Sequence, residues 1–159
     1  MKEYFTKLFE FNYWANSVIT ECLANQVTNE KETIALLAHI LAAEKLWLNR
    51  MKKIPGAQIK VWQSLSIGKC RTMAKENYAA FREFLSGLDN GKLTEVIEYK
   101  TSKGKIFSNN VIDILTQLVN HGSHHRSQIN LAIRQNGGEP VGIDYITFVR
   151  EKKKDSQNF

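Results

Sequence analysis

Proline and cysteine are scarce in this chain, with two of each in 159 residues. Cys22 and Cys70 lie far apart and in no metal-ligand spacing, so no disulfide framework organises the fold. Pro55 and Pro140 stand where helical patterns stop, which leaves the helix interiors free of a residue that lacks an N–H. No apolar run approaches the roughly 18 residues of a membrane span. The first ten residues carry charges where a secretory signal needs an apolar stretch. There are also no internal repeats and no low-complexity linkers. Residues 1–159 therefore read as a single domain, long enough to bury a core without staples, and the expected location is the cytoplasm with no membrane partner.

Acidic residues are the minority charge: 16 Asp and Glu against 22 Lys and Arg give a net charge of +6. Such a balance suits nucleic acid, acidic lipid or a small anionic substrate. The densest basic run, Glu151-Lys152-Lys153-Lys154, has no interleaved aromatic residues on which bases could stack. It reads as a solvated helix end, and with no recognition motif present nucleic acid is not an expected partner.

What the chain has in quantity is helical periodicity. A first helix is expected from Lys2 to Leu23, with two adjoining apolar rows: Tyr4, Leu8, Phe11, Ala15, Val18 and Cys22 in one, and Phe5, Phe9, Ile19 and Leu23 in the other. Asn29 with Glu32 three residues on has capping-box spacing. The stretch Thr33–Leu48 that follows is apolar nearly all round, as in a helix buried on more than one side, and Ile54-Pro55-Gly56 ends it. A third helix, Gly68 to Leu85, turns Cys70, Met73, Ala74, Tyr78, Phe81 and Leu85 inward, with Gly87 as terminator. The β-branched and aromatic residues around Lys103-Gly104 predict a short hairpin. Asn109 or Asn110 can cap a fourth long helix to Gln135, closed by Asn136-Gly137-Gly138, and a last short helix covers Asp144 to Lys152. The expected fold is all-α: an up-and-down four-helix bundle with a β-hairpin before the fourth helix and a short C-terminal helix. Ligand sites in such bundles are built from inward side chains on facing helices.

Histidine is scarce too, and unevenly spent: of four, three stand at His121, His124 and His125. On the fourth helix the apolar stripe runs Ile114, Leu118, His121, His125, Ile129, Ala132, all within one narrow face at about 100° per residue. His121 and His125 therefore take core positions, four residues apart on successive turns, while His124 points toward the stripe's edge. The fourth histidine, His39, sits mid-way along the apolar second helix. A lone core histidine is ordinarily satisfied by a backbone carbonyl. An i, i+4 pair on a core stripe with a third imidazole on another buried helix is instead the layout of a three-histidine metal site, since buried imidazoles without partners cost several kcal/mol. Three nitrogen ligands leave a position open for water or substrate. All-imidazole ligation suits Zn²⁺ or Ni²⁺, with iron or copper not excluded. Asn12 and Asn16 interrupt the row of Phe5, Phe9, Ile19 and Leu23; they are candidates for outer partners of the imidazoles, for a substrate pocket, or for the exposed margin of a wide stripe.

Together these residues resemble the DinB/YfiT-like superfamily of metal-dependent four-helix-bundle proteins over nearly the whole chain. Phe11-Asn12-Tyr13-Trp14-Ala15-Asn16 is similar to an opening Y-x-x-W-A-N signature. Leu37-Ala38-His39-Ile40, followed by Glu44 and Trp47, resembles the second-helix motif. The run from Asn120 to Gln128 is similar to the fourth-helix pattern N-H-x-x-H-H-R-G-Q, with Ser127 where Gly is frequent. Asn136-Gly137-Gly138-Glu139-Pro140 and Asp144 match the segment that follows. The resemblance implies His39, His121 and His125 as metal ligands and excludes His124 from ligation, leaving it as an outer or pocket residue. It also implies a homodimer and, for some members, thiol-dependent transfer or isomerisation with low-molecular-weight thiols.

Three functions follow as expectations. The first is a metal-dependent thiol S-transferase of stress response or detoxification, in which the metal holds a thiolate and a small electrophile is the substrate. A metal-hydroxide hydrolase is the nearest variant. It is weakened because His124 is the only free imidazole and Glu44 the carboxylate nearest His39 in sequence. The last is a non-catalytic metal-binding or stress-associated protein.

Overall fold

The computed structural model describes residues 1–25, 31–55, 59–101 and 103–157, with side chains to Lys154. Six helices and two strands follow in the order α1 (Lys2–Asn25), α2 (Lys31–Met51), α3 (Ile67–Ser86), α4 (Asn90–Thr94), β1 (Val96–Lys100), β2 (Ile106–Asn110), α5 (Val111–Gln135) and α6 (Tyr145–Gln157). The fourth long helix of the sequence pattern is thus α5. The one-turn α4 has no periodicity of its own to betray it; it is held by Asp89, whose carboxylate accepts from the Lys92 N–H at 2.7 Å. Residues Asn29 and Gly56, offered as cap and terminator of α2, lie outside the described residues.

The long helices meet in two apolar clusters that reveal their directions. One joins the start of α1 (Phe5, Phe9) to the ends of α2 (Leu48, Met51) and α3 (Phe81, Leu85) and the start of α5 (Ile114, Leu115, Leu118). The other joins the end of α1 (Ile19, Leu23) to the starts of α2 (Leu37, Leu41) and α3 (Cys70, Ala74) and the end of α5 (Ile129, Ile133). So α1 and α5 run one way while α2 and α3 both run the other. Up-and-down alternation is interrupted once, between α2 and α3, and the chain must travel back along the bundle to begin α3. The return falls between Met51 and Ile67, and residues 59–66 are its described approach to α3. Bundles with a long crossover connection are a known variant of the architecture.

Helix ends show where local chemistry agrees with pattern. At the end of α5, Gly137 takes φ +78° and the N–H groups of Gly137 and Gly138 bond back to the carbonyls of Arg134 (3.1 Å) and Ile133 (2.9 Å). This is the Schellman closure that glycine favours. At the end of α2 the same closure forms, Ile54 to Asn49 (3.0 Å) and Lys53 to Arg50 (3.0 Å), but the left-handed residue is Lys53 at φ 53°. No glycine marks it, and α2 stops before Pro55. At the start of α5, Asn110 is the cap residue without a side-chain cap bond, while Asn109 accepts from the Tyr99 hydroxyl across the hairpin at 2.8 Å.

On α1 the row with Phe5, Phe9, Ile19 and Leu23 is the buried one, and Asn12 and Asn16 are buried within it. Of the other row, Tyr4 is exposed, whereas Phe11 and Ala15 are covered by Phe148 of α6. On α3, Met73 and Tyr78 are only half-buried, and Asn77 takes a fully inward position. The antiparallel hairpin pairs Val96 with Asn110 through Lys100 with Ile106. No helix among the described residues is long and apolar enough to cross a membrane.

Candidate metal centre

The two halves of the histidine set come from α2 and α5, which lie side by side. His39 is buried, and His121 and His125 are half-buried. The histidine stretch of the α5 stripe is therefore less deeply buried than Leu118 and Ile129 on either side of it. One nitrogen from each ring lies within 4.8 Å of the others, and His39 Nε2 stands 3.1 Å from His121 Nε2. Four-coordinate binding at about 2.0–2.1 Å places ligand nitrogens roughly 3.3 Å apart. The His39–His121 pair is close to that spacing, and the His125 nitrogen lies within 4.8 Å of both. His124 is exposed and lies outside the set, its ring 5.0 Å from that of His125.

The outer nitrogens decide which lone pairs face inward. His39 Nδ1 lies 3.1 Å from the Val61 carbonyl oxygen, which can only accept, so the proton belongs on Nδ1. His125 Nδ1 lies 2.6 Å from Gln128 Oε1 and donates in the same way. Both rings then present an unprotonated Nε2, the tautomer and orientation that metal-ligating histidines obtain from their outer partners. Burial holds the His39 pKa below its ordinary value, the Val61 hydrogen bond opposing and His125 adding to the effect. Burial, then His125, His39 and His124, pushes His121 down to about 4. Both rings are neutral at neutral pH, as ligands must be.

Val61 and Trp62 belong to the crossover. Its return path passes His39, which lies about 18 Å back from the end of α2 at 1.5 Å per residue. There the Trp62 indole stacks on the His39 ring, centroids 3.8 Å apart and planes within 10°, while remaining 52% exposed. Neither residue carries a sequence signal for this role, because parallel α2 and α3 are what bring the loop across. Gln128 did carry one, as the last residue of the α5 motif.

A second polar group lies close by. Arg126, next to His125, is 0% exposed. Its Nη1 donates to Asn16 Oδ1 at 2.9 Å, and its Nη2 to Asn12 Oδ1 at 3.1 Å and Ser123 Oγ at 3.3 Å. Asn16 Nδ2 in turn donates to Glu44 Oε1, and Asn77 Nδ2 to Glu44 Oε2, both at 3.1 Å. Asn12 and Asn16 therefore sit neither at an exposed margin nor against the imidazoles. The cavity beside them, lined also by Glu44 and Tyr78, measures about 10 Å³, room for one water at most and not for a substrate. Burial pushes the Glu44 carboxyl up, against the opposing pull of Asn77, the Arg126 charge and Asn16. Burial lowers Arg126 to about 10, Glu44 opposing, so the guanidinium stays charged at neutral pH.

A helical bundle with three convergent imidazoles on two of its helices is the class that fold and site define. The chain belongs to the DinB family, whose pattern it matches over residues 1–156. Its fold is shared with the crystal structure of a DinB-like protein from Bacillus cereus ATCC 10987. That chain is 22% identical, with a TM-score of 0.62 over 88% of this chain and 93% of the other. Comparison with curated proteins gave no match.

Proposed function

We propose that this protein is a metal-dependent enzyme of the thiol S-transferase type, in which His39, His121 and His125 hold a divalent ion, zinc or nickel. The observation that carries the reading is the shared tautomer of His39 and His125. Each gives its Nδ1 proton to an outer oxygen, of Val61 and of Gln128, which leaves Nε2 unprotonated, and one nitrogen of each ring lies within 4.8 Å of those of the other two histidines. An ion bound there would act as a Lewis acid that lowers the pKa of a ligated thiol and keeps it as thiolate. The protein's own residues orient and enclose. Val61 and Gln128 hold the rings, Trp62 gives a flat apolar wall open to solvent on one side, and His124 stands exposed beside His125 as a proton carrier for the leaving group.

Thiol activation is favoured over a hydrolase because Glu44 is no free base: both its oxygens accept from asparagine amides. A thiolate made by the metal needs no separate base, whereas water activation commonly uses one. The test has two stages. Elemental analysis of natively purified protein is expected to give about one zinc or nickel per chain, lost in His39→Ala, His121→Ala and His125→Ala with helicity retained. Loaded protein is then assayed with a panel of low-molecular-weight thiols against a chloro-nitroarene and an epoxide. Turnover of none of them by protein that does hold metal would put the non-catalytic reading ahead.

A further inference from the structure

The Arg126 group lies where the metal centre does not use it, yet it touches all four long helices. Arg126 and Ser123 come from α5, Asn12 and Asn16 from α1, Glu44 from α2 and Asn77 from α3. Asn16 is the bridge, accepting from Arg126 with its oxygen and donating to Glu44 with its nitrogen. The helix makes room for this on its own surface. A Cβ on Gly122 would stand 2.7 Å from Arg126 Nη1, so the glycine lets the guanidinium fold back along α5 toward α1.

The location matters because of what it is attached to. Glu44 follows His39 by five residues on α2, and Arg126 follows His125 directly on α5. Elsewhere α2 and α5 meet through Leu and Ile repeated on successive turns, such as Leu37, Leu41 and Leu48 against Ile114, Leu118, Ile129 and Ile133. An aliphatic ridge of that kind looks alike after a slip of one turn, about 5.4 Å. A single buried polar linkage does not, and setting registry is the best-attested use of such groups in helical assemblies.

We propose that the Arg126–Asn16–Glu44 linkage is the register pin of the histidine centre. It fixes the height and rotation of α5 against α2 so that the imidazoles of His39 and His121 meet, and Arg126 and Glu44 are positioning residues that touch no metal and no substrate. The proposal rests on the metal-binding reading of the histidines for its affinity readout, and on their geometry alone for the other.

The test compares Arg126→Met, the double variant Arg126→Met/Glu44→Leu, and Leu85→Ala as a core lesion outside the linkage. Co²⁺ titration of folded protein and its visible absorption spectrum report the site. In metal-free protein with labelled histidine, the nuclear Overhauser effect between the His39 and His121 rings, whose centroids lie 5.0 Å apart, reports their meeting. Arg126→Met is expected to weaken Co²⁺ binding about 10- to 100-fold, alter the spectrum and remove the ring-to-ring effect. The double variant buries no lone charge and so keeps the protein folded if the single one does not. It is expected to melt near the wild-type temperature and still bind at least about 10-fold more weakly. Leu85→Ala is expected to melt lower and to bind like wild type. A double variant with wild-type affinity and an intact ring-to-ring effect overturns the proposal. Where the wild type itself binds no Co²⁺, the metal reading fails and the ring-to-ring effect alone decides the pin: lost in the variants it stands, kept it falls.

Discussion

The histidine centre and the Arg126 linkage are both polar intrusions into an aliphatic bundle, set about 100° apart around α5 by the offset between His121 and Gly122 and between His125 and Arg126. They differ in how their polarity is satisfied. Arg126 is wholly buried, and its fork is spent on Asn12, Asn16 and Ser123. The histidines bring one nitrogen each within 4.8 Å of one another, with outer oxygens of Val61 and Gln128 holding His39 and His125 and a hydrogen bond, His39 Nε2 to His121 Nε2 at 3.1 Å, between the inner nitrogens. Among the described residues Arg126 Nε and Asn12 Nδ2 are left without a hydrogen-bond partner, but every bond the network does make joins one helix side chain to another, and such bonds stabilise the shape they are in. An arrangement with unspent lone pairs is suited to a ligand. The difference between the two faces of α5 is the difference between structure and site.

The largest effect expected from breaking this contrast is on stability. Arg126→Ala leaves the Glu44 carboxylate buried without its counter-charge, and the loss should be about 3–5 kcal/mol in chemical denaturation. His121→Ala, half-buried and on the other face, should cost far less by the same measurement while abolishing metal binding. If the two variants lose stability equally, the contrast between the faces is false.

Next in size is the response to metal. Zinc at about 100 times its Kd should stabilise the wild type by roughly 2.7 kcal/mol, read as a rise in melting temperature, and leave His39→Ala and His125→Ala unmoved. Smaller again is the effect of Gln128→Ala. Removing the acceptor of the His125 Nδ1 proton should weaken zinc by about 10-fold in competition titration, with no change in melting of the metal-free protein.

The smallest effect concerns pH. In the folded metal-free protein His121 titrates at about 4, against an ordinary value of 6.5. As pH falls, the unfolded chain therefore takes up this proton first. The contribution of the neutral ring to stability is whole above about pH 6.5 and lost progressively down to about pH 4. Denaturation midpoints should fall across that window in the wild type and less steeply in His121→Ala. The ring is half-exposed, so the slope is modest.

How much of this could be read beforehand depended on range. The i, i+4 pair His121 and His125 was legible because a helix repeats every 3.6 residues, whatever it packs against. His39 was legible as an imidazole in a helix apolar on all sides. The hairpin, the long helices and the Gly137 stop were legible for the same local reasons. Lys53 in place of glycine was not, nor was α4. Arg126 stands in the same α5 motif as Gln128, but its burial was not legible because an arginine in a helix is ordinarily solvated. Asn12 and Asn16 announced themselves as odd, but an amide in an apolar row does not say what it bonds to.

Periodicity, caps and spacing, all properties of a few neighbouring residues, determined from the sequence alone that there would be a helical bundle and that two histidines would share a face of one helix. Tertiary structure decided the rest. The direction of α3 relative to α2 is set by which faces bury together, and no single helix records it. That direction carries Val61 and Trp62 back across His39. Packing alone brings Asn16 between Arg126 and Glu44, 110 and 28 residues distant in the chain, because a buried charge must find its partners wherever the folded chain places them.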